Sequence, residues 1–382
     1  MEVIYYTESD FAGGGNGDVA YYAVRGLYKK GYIKRIICRD YKETEIDSSL
    51  IKRFFPLGRT LPRIFYGIQR FIYPGFNAGR FNRFLYERIS LAFGYIDSCD
   101  IFHFWAYPYK LMIKAKEIGA ITIMESGFQH PNYANKILTE EYKKYGLKLP
   151  LPNMDKLLKT IDESDYIFVN SKFARNTYLE NGVNEDKLIQ SFRGVDLDKF
   201  YPVSNNLRNK DDKFRCIFVG DMKLRKGVQY LLKAWKELNL KNSELIICGH
   251  VLWDAKRVVD KYRNMEDIKF LGRVDPVKYY QMSDVFVYPS LVEGSAKVNH
   301  EAMACGLPVI TTPNAGSVVR DGKDGFLIPI RNVDALKEKI QYFYDNPTEI
   351  KRMGKNARKN IENYSWDKYS EWIVKTYENL II

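Results

Sequence analysis

Val285-Phe-Val-Tyr-Pro-Ser-Leu-Val-Glu-Gly-Ser-Ala-Lys-Val-Asn-His-Glu301 passes from a β-branched, aromatic run through a glycine-containing turn into a helical pattern. The pattern predicts a strand over Val285–Tyr288 and a helix over Val298–Cys305. A parallel sheet presents its ligands at the carboxyl ends of its strands. Here that end supplies Pro289, Ser290 and the small segment Glu293-Gly-Ser-Ala, followed by a helix N-terminus. Unpaired amides and the positive dipole end at such a terminus suit a phosphate. Glu293 and Glu301 flank the turn, eight positions apart. Just inside the first helical turn, Glu301 can accept two hydrogen bonds from a vicinal diol such as ribose, with Glu293 at the far end of the same ligand. On spacing alone the pair reads equally well as a loop charge and a helix-start carboxylate favoured by the dipole.

The same strand-then-helix rhythm extends in both directions. Strands are predicted at Val3–Thr7, Arg35–Cys38, Ile101–Phe104, Ile121–Met124, Tyr166–Asn170 and Leu188–Phe192, and again at Arg215–Val219, Glu244–Cys248, Ile268–Leu271, Val309–Thr312 and Gly325–Ile328. Helices fall between them, for example Val19–Lys30, Lys110–Ile118 and Val228–Leu238. Continuous apolar strands alternating with helices specify parallel sheets covered on both faces. The polar, aperiodic stretch Ser204-Asn-Asn-Leu-Arg-Asn-Lys-Asp-Asp-Lys213 divides the pattern into two halves. The expected fold is α/β: a Rossmann-like domain over 1–200, a linker over 201–213 and a second Rossmann-like domain over 214–364. The stripe Trp366, Tyr369, Trp372, Ile373 and Tyr377 marks a terminal helix, within 365–382, that docks on a core.

Composition narrows the class. With 46% apolar and 28% charged residues in 382, the chain is globular and long enough for two domains. No stretch approaches the ~18 consecutive apolar residues of a spanning helix. An acid at position 2 and an immediate strand are unlike a signal peptide, so the chain reads as cytoplasmic. Five scattered cysteines without a C-x-x-C pair read as buried thiols in a reducing compartment. A net charge of +12 calls for an anionic partner.

From Glu301 the sequence continues Ala-Met-Ala-Cys-Gly-Leu-Pro-Val-Ile-Thr-Thr312, and this segment resembles the donor-binding signature of family 4 of the retaining glycosyltransferases (glycosyl transferases group 1). Arg193-Gly-Val-Asp-Leu-Asp-Lys-Phe-Tyr-Pro202 is similar to the family motif that ends its first domain, and Phe218-Val-Gly-Asp-Met-Lys-Leu-Arg-Lys-Gly227 to the one that opens its second. Phe270-Leu-Gly-Arg-Val274 and Ser283-Asp-Val-Phe-Val-Tyr-Pro-Ser290 also fit. The resemblance is densest over 160–330. It implies a GT-B fold, with two Rossmann-like domains facing each other across a cleft and the C-terminal helix packing back on the first.

The resemblance also implies roles. Glu301 would bind the ribose hydroxyls of a nucleotide diphosphate sugar and Glu293 the hydroxyls of its sugar ring. Amides around Ser295, Ala296, Lys297 and Val298 would hold sugar and pyrophosphate oxygens, and Lys226 with Arg225 would neutralise the departing pyrophosphate. Asp221 stands where many members carry arginine, which leaves the assignment within Lys223–Lys226 open. Arg273, with the wall near Gly249–Val251, would face the base. The loop Gly13-Gly-Gly-Asn-Gly17, including Gly14 and Gly15, opens a helix and would line the cleft near the donor phosphates. The family implies no protein nucleophile, no metal and no cofactor besides the donor itself.

Two histidines are acceptor-side candidates: His103, on a strand, and His130, on the loop after Ile121–Met124. Each also reads as a buried structural histidine, and relatives often carry a second histidine where this chain has Trp105. Residues 51–90 hold Lys52, Arg53, Arg59, Arg63, Arg70, Arg80, Arg83 and Arg88 against the single acid Glu87, interleaved with aromatics. Such a segment can dock on an anionic membrane on the inner face, or form a helical hairpin with core aromatics; nucleic acid is the weaker alternative. The expected activity is retaining transfer of a sugar to an acceptor hydroxyl (a sugar, a lipid-linked sugar or a small molecule) in surface polysaccharide, glycolipid or related glycoconjugate synthesis. A sugar-nucleotide epimerase or a phosphorylase on the same fold, and a basic nucleic-acid binder, are the rival readings.

Overall fold

The computed structural model describes residues 1–55, 60–72, 77–149, 154–203 and 211–381, apart from the side chains of Leu61, Arg70 and Phe71. Of the expectations above, Arg59, most of the predicted linker, and the side chain of Arg70 lie outside the described residues.

Two parallel sheets form the framework. The first runs in the order Ile51–Arg53, Ile33–Cys38, Val3–Tyr6, Ile101–Trp105, Ile121–Ser126, Tyr166–Val169, Leu188–Gln190. The second runs Ile268–Gly272, Ser243–Cys248, Phe214–Val219, Val285–Tyr288, Val309–Thr311, Gly325–Leu327. Both start at an inner strand, build outward, then cross over and build the other way. The predicted strands are therefore present, within one or two residues at their ends. The α/β reading with two Rossmann-like domains in the GT-B arrangement is borne out.

The strands are buried on both faces because helices cover both. Val19, Ala20, Ala23, Val24 and Leu27 of helix Asn16–Lys29 recur at three- and four-residue spacing and lie in the first core. Helix Val228–Leu238 places Val228, Leu231, Leu232 and Trp235 on the second sheet in the same way. The last helix, Trp366–Ile381, follows the second domain in sequence but lies on the first. Trp366 stacks on Tyr22 with ring centroids 4.5 Å apart, and Gly26 lets the backbone at Ser370 come close. Tyr369, Ile373 and Tyr377 complete that core.

Part of the basic segment follows the reading in which its aromatics are core. Ile51–Arg53 joins the first sheet as its edge strand, and Phe54, Phe55 and Tyr86 enter the core. Helix Thr60–Gly67, the π-helical turn Ile68–Ile72 and helix Ala78–Ala92 leave Ile64, Ile72 and Phe84 exposed, as are Arg63, Arg80 and Arg88. All five cysteines are buried free thiols. Among the described residues, no helix is long and apolar enough to cross a membrane.

Candidate functional site

The second sheet reverses its building direction between Phe214–Val219 and Val285–Tyr288, and a doubly wound sheet opens a crevice at such a point. The loops leaving these two strands carry Gly220 to Lys226 and Pro289 to Glu301. Their side chains converge: Arg225 Nη1 lies 2.6 Å from Glu293 Oε1, and the Tyr288 hydroxyl donates to the same oxygen at 2.9 Å. The Arg225 guanidinium also donates to the Val292 carbonyl at 3.0 Å and covers the ring of Phe128, from the first domain, at 5.5 Å. Lys226 folds back so that its ammonium sits where a side chain on Gly220 would be, and the φ of +134° at Gly220 favours glycine there.

These groups set one another's protonation. Burial acts to raise the Glu293 carboxyl, but Arg225, then Lys226 and the Tyr288 hydroxyl, hold it below the usual carboxylate range. Burial pushes the Lys226 ammonium below the ordinary lysine value, against Glu293 and Asp221, which favour its charge. The result is a largely buried carboxylate paired with Arg225 and within the field of Lys226, at the switch point.

Glu301 lies in the first turns of helix Lys297–Ala304 and accepts from the Tyr280 hydroxyl at 3.2 Å. Burial raises its carboxyl, with Lys297 and Tyr280 pulling the other way. Glu301 and Lys297 open onto a cavity of about 550 Å³ whose other walls include Asp18, Asp196 and Trp366. The amide of Ala296 donates to the Ala315 carbonyl at 2.9 Å, so its expected share in an anion cradle is corrected: that N–H is already committed. The Ser295 hydroxyl, by contrast, is buried with no partner among the described residues.

The glycine loop meets this helix across the cleft. Gly14 and Gly15 adopt φ +95° and +59°, and the Gly14 amide donates to Asp18 Oδ1 at 2.9 Å. Asp18 Oδ2 in turn lies 2.9 Å from Lys297 Nζ. Sequence reading passed over Asp18; its signal was an acid one position after the glycine run. Asp221, the departure from the family pattern, accepts from the His250 amide at 3.2 Å and pairs with the exposed Arg273, also at 3.2 Å. It therefore occupies Arg273 at the wall expected to face the base, while Arg225 is the cation paired with Glu293 and Lys226 lies over the Tyr288 ring at 5.8 Å.

The two domains are held together beside the site. Gly294 packs on the backbone of Gly127, where any side chain would clash, and its carbonyl accepts from Ser171 Oγ at 2.7 Å. Gln129 Nε2 donates to the Asn314 carbonyl at 2.7 Å. Farther out, the fully buried Glu141 of helix Pro131–Lys144 accepts from Gln229 (2.9 Å), Tyr230 (2.7 Å) and Arg331 (2.9 Å), all in the second domain.

Both acceptor-side histidine candidates are buried. His103 is completely buried: it stacks on Tyr5 at 4.5 Å, hydrogen-bonds through Nδ1 to the Tyr377 hydroxyl at 2.6 Å, and lies 3.3 Å from Glu125. The C-terminal helix therefore covers it, and its expected acceptor-side role gives way to a structural one. His130 caps helix Pro131–Lys144, Nδ1 accepting from the Asn132 amide at 3.3 Å, with its ring edge-on to Tyr178. Burial lowers its affinity for a proton. Among the described residues, no three His, Cys, Asp or Glu side chains gather in a metal-holding group.

Comparison with known proteins agrees with the motif resemblance. Residues 203–360 match the family described as glycosyl transferases group 1. An uncharacterized glycosyltransferase of Methanocaldococcus jannaschii is 29% identical over 234 residues, which is 57% of this chain and 59% of that protein. The match thus spans about three-fifths of this curated relative. The fold of the whole chain is similar to that of sucrose-phosphate synthase from Thermosynechococcus elongatus, with a TM-score of 0.75 at 19% identity, covering 100% of this chain and 99% of that one. It is also similar to HepE of Anabaena, determined in complex with UDP and glucose, with a TM-score of 0.68 at 14% identity over 99% and 100% of the two chains.

Proposed function

We propose that this chain, whose second domain matches the glycosyl transferases group 1 family, moves a sugar from a nucleotide diphosphate sugar to an acceptor hydroxyl with retention of anomeric configuration. The observation that carries the reading is the cluster of Arg225, Glu293 and Lys226 at the switch point, with Glu301 at the start of the adjoining helix. Glu301 would take the ribose diol, and Glu293, kept ionised by its neighbours, would take hydroxyls of the transferred ring. Lys226, Arg225 and the amides beside Lys297 would stabilise charge developing on the diphosphate as the bond from C1 to its oxygen breaks. The new bond from C1 to the acceptor oxygen forms on the same face, and the acceptor proton passes to an oxygen of the leaving diphosphate. No metal or further cofactor takes part in this reading, and turnover in a chelator tests that point.

The acceptor would enter from the first domain, and the closed cleft would keep water from C1. A thermal-shift panel of UDP-, GDP-, ADP-, CDP- and dTDP-sugars identifies the donor. NMR of the product anomeric proton then reports retention. Stabilisation by none of these nucleotides refutes the reading. Rapid donor conversion without acceptor points instead to an epimerase, and phosphate-dependent cleavage to a phosphorylase.

A second reading concerns place and pathway: attachment to the cytoplasmic face of an anionic membrane, in glycolipid or surface polysaccharide assembly. Exposed Ile64, Ile72 and Phe84, with Arg88 packed over the Phe84 ring at 5.3 Å and Arg63 and Arg80 nearby, support it. Reversing Arg63, Arg80 and Arg88 to Glu should abolish sedimentation with phosphatidylglycerol vesicles. A wild-type protein that stays in the supernatant removes the reading.

A further inference from the structure

We infer that the cavity on the first domain's side of the cleft takes an uncharged, polyhydroxylated ring, and that Asn82 and Glu8 read its hydroxyls. The inference rests on the transferase reading above and names the class of acceptor that the site accepts.

The cavity, of about 420 Å³, lies beyond the carboxyl ends of strands Val3–Tyr6, Ile101–Trp105 and Ile121–Ser126. Helix Ala78–Ala92 of the basic segment forms one wall. On that helix Asn82 lines the cavity, is 3% exposed, and has no partner for either Oδ1 or Nδ2 among the described residues. An amide buried without partners is a standing cost to the fold, and a ligand hydroxyl, at once donor and acceptor, relieves it. Two other planar groups on the same cavity are half-used. Glu8 accepts from Arg83 Nε through Oε2 at 2.8 Å, while its buried Oε1 has no partner. Gln129 gives Nε2 to Asn314, leaving Oε1 unpaired.

Charge decides against a phosphorylated ligand. The cavity's two arginines are already neutralised, Arg83 by Glu8 and Arg39 by Asp10 at 2.6 Å. An anion would have to break those pairs and sit beside the carboxylates they release. A neutral ring leaves them intact, fills the open lone pairs of Glu8 and Gln129 and the open amide of Asn82, and packs its C–H surface on Phe128 and Tyr86. Phe128 also carries Arg225 on its ring, so the cavity adjoins the proposed donor site.

Saturation-transfer NMR on the whole chain, with UDP or GDP present, tests this with methyl glycosides of glucose, galactose, mannose and N-acetylglucosamine, against glucose 6-phosphate and glycerol 3-phosphate. At least one methyl glycoside should bind and the two phosphates should not. Asn82→Leu should weaken that glycoside about tenfold, the loss of one or two hydrogen bonds, and Glu8→Gln about tenfold, because a neutral amide replaces a charged acceptor. Glu8→Gln preserves shape, so it decides the matter should Asn82→Leu fail to fold. Tighter binding of either phosphate, binding of no glycoside, or unchanged glycoside affinity in Glu8→Gln overturns the inference. Nucleotide affinity on the same samples separates the two readings. Glycoside binding without nucleotide binding sinks the transferase and keeps the cavity's chemistry; the reverse sinks the cavity alone.

Discussion

Replacing Glu293 by Gln removes one charge and almost no volume, so it isolates the electrostatics of the donor site. Glu293 Oε1 takes a 2.6 Å contact from Arg225 and a 2.9 Å hydrogen bond from Tyr288, and its side chain is 14% exposed. At an effective dielectric of about 20, two charges at that separation attract by roughly 6 kcal/mol before desolvation is subtracted. Breaking a well-buried pair typically costs about 3–5 kcal/mol, because the surviving charge is left uncompensated. Gln can still accept from Tyr288 and from Arg225, so we expect about 2–3 kcal/mol of lost stability, read as a shift in chemical denaturation midpoint. Activity should suffer more selectively. Losing a fixed charge beside the transferred ring should lower kcat/KM by roughly 100-fold. The sign of a third effect is also set: Glu293 favours the charged form of Lys226, so its loss moves the alkaline limb of the pH–rate profile to lower pH. A double-mutant cycle with Arg225→Met should return a coupling of about 2 kcal/mol. A Glu293→Gln protein with wild-type denaturation midpoint and kcat/KM within twofold of wild type would refute the reasoning.

Three further outcomes follow from the same geometry. Glu301→Ala should weaken binding of the cognate nucleotide diphosphate by roughly 2–4 kcal/mol, the loss of charge-assisted hydrogen bonds, measured by titration calorimetry. His300 is fully buried and burial pushes its pKa down to about 4, below its unfolded value. As pH falls the unfolded chain gains a proton that the native state refuses, so stability is lost from about pH 6.5 down to about pH 4, by up to ~1.4 kcal/mol per pH unit. His300→Asn should flatten that window in denaturant titrations at pH 7 and pH 5; an unchanged slope excludes His300 as its source. Glu141→Ala leaves Tyr230 and Arg331 without their shared acceptor, and should cost about 2–4 kcal/mol and widen the particle in small-angle scattering. An unaltered scattering profile would show that the domains are held by other contacts.

What the sequence determined by itself was local or periodic. Continuous apolar runs such as Val285–Tyr288 and the Leu-Ile-Ile-Cys that ends Ser243–Cys248 can satisfy both faces only inside a helix-covered parallel sheet, so the doubled α/β fold was legible. The Glu293–Glu301 turn was legible because strand end, glycine and helix start are neighbours along the chain. The edge strand Ile51–Arg53 was not, since three residues bearing two cations carry no strand signal until Ile33–Cys38 offers its free edge. Contacts between distant segments lay beyond reach altogether. Whether His103 faces a ligand or a core depended on Tyr377, 274 positions away, coming to rest on it. Arg225 acquires its place because Glu293 reaches it from the other side of the switch point, and Lys297 because Asp18 reaches it from the other domain. The orphaned amide of Asn82 is visible only once a cavity has closed around it. Periodicity records which face of an element is buried; which side chain meets it there is settled by tertiary packing, because burial is not directional and hydrogen bonds and charges are.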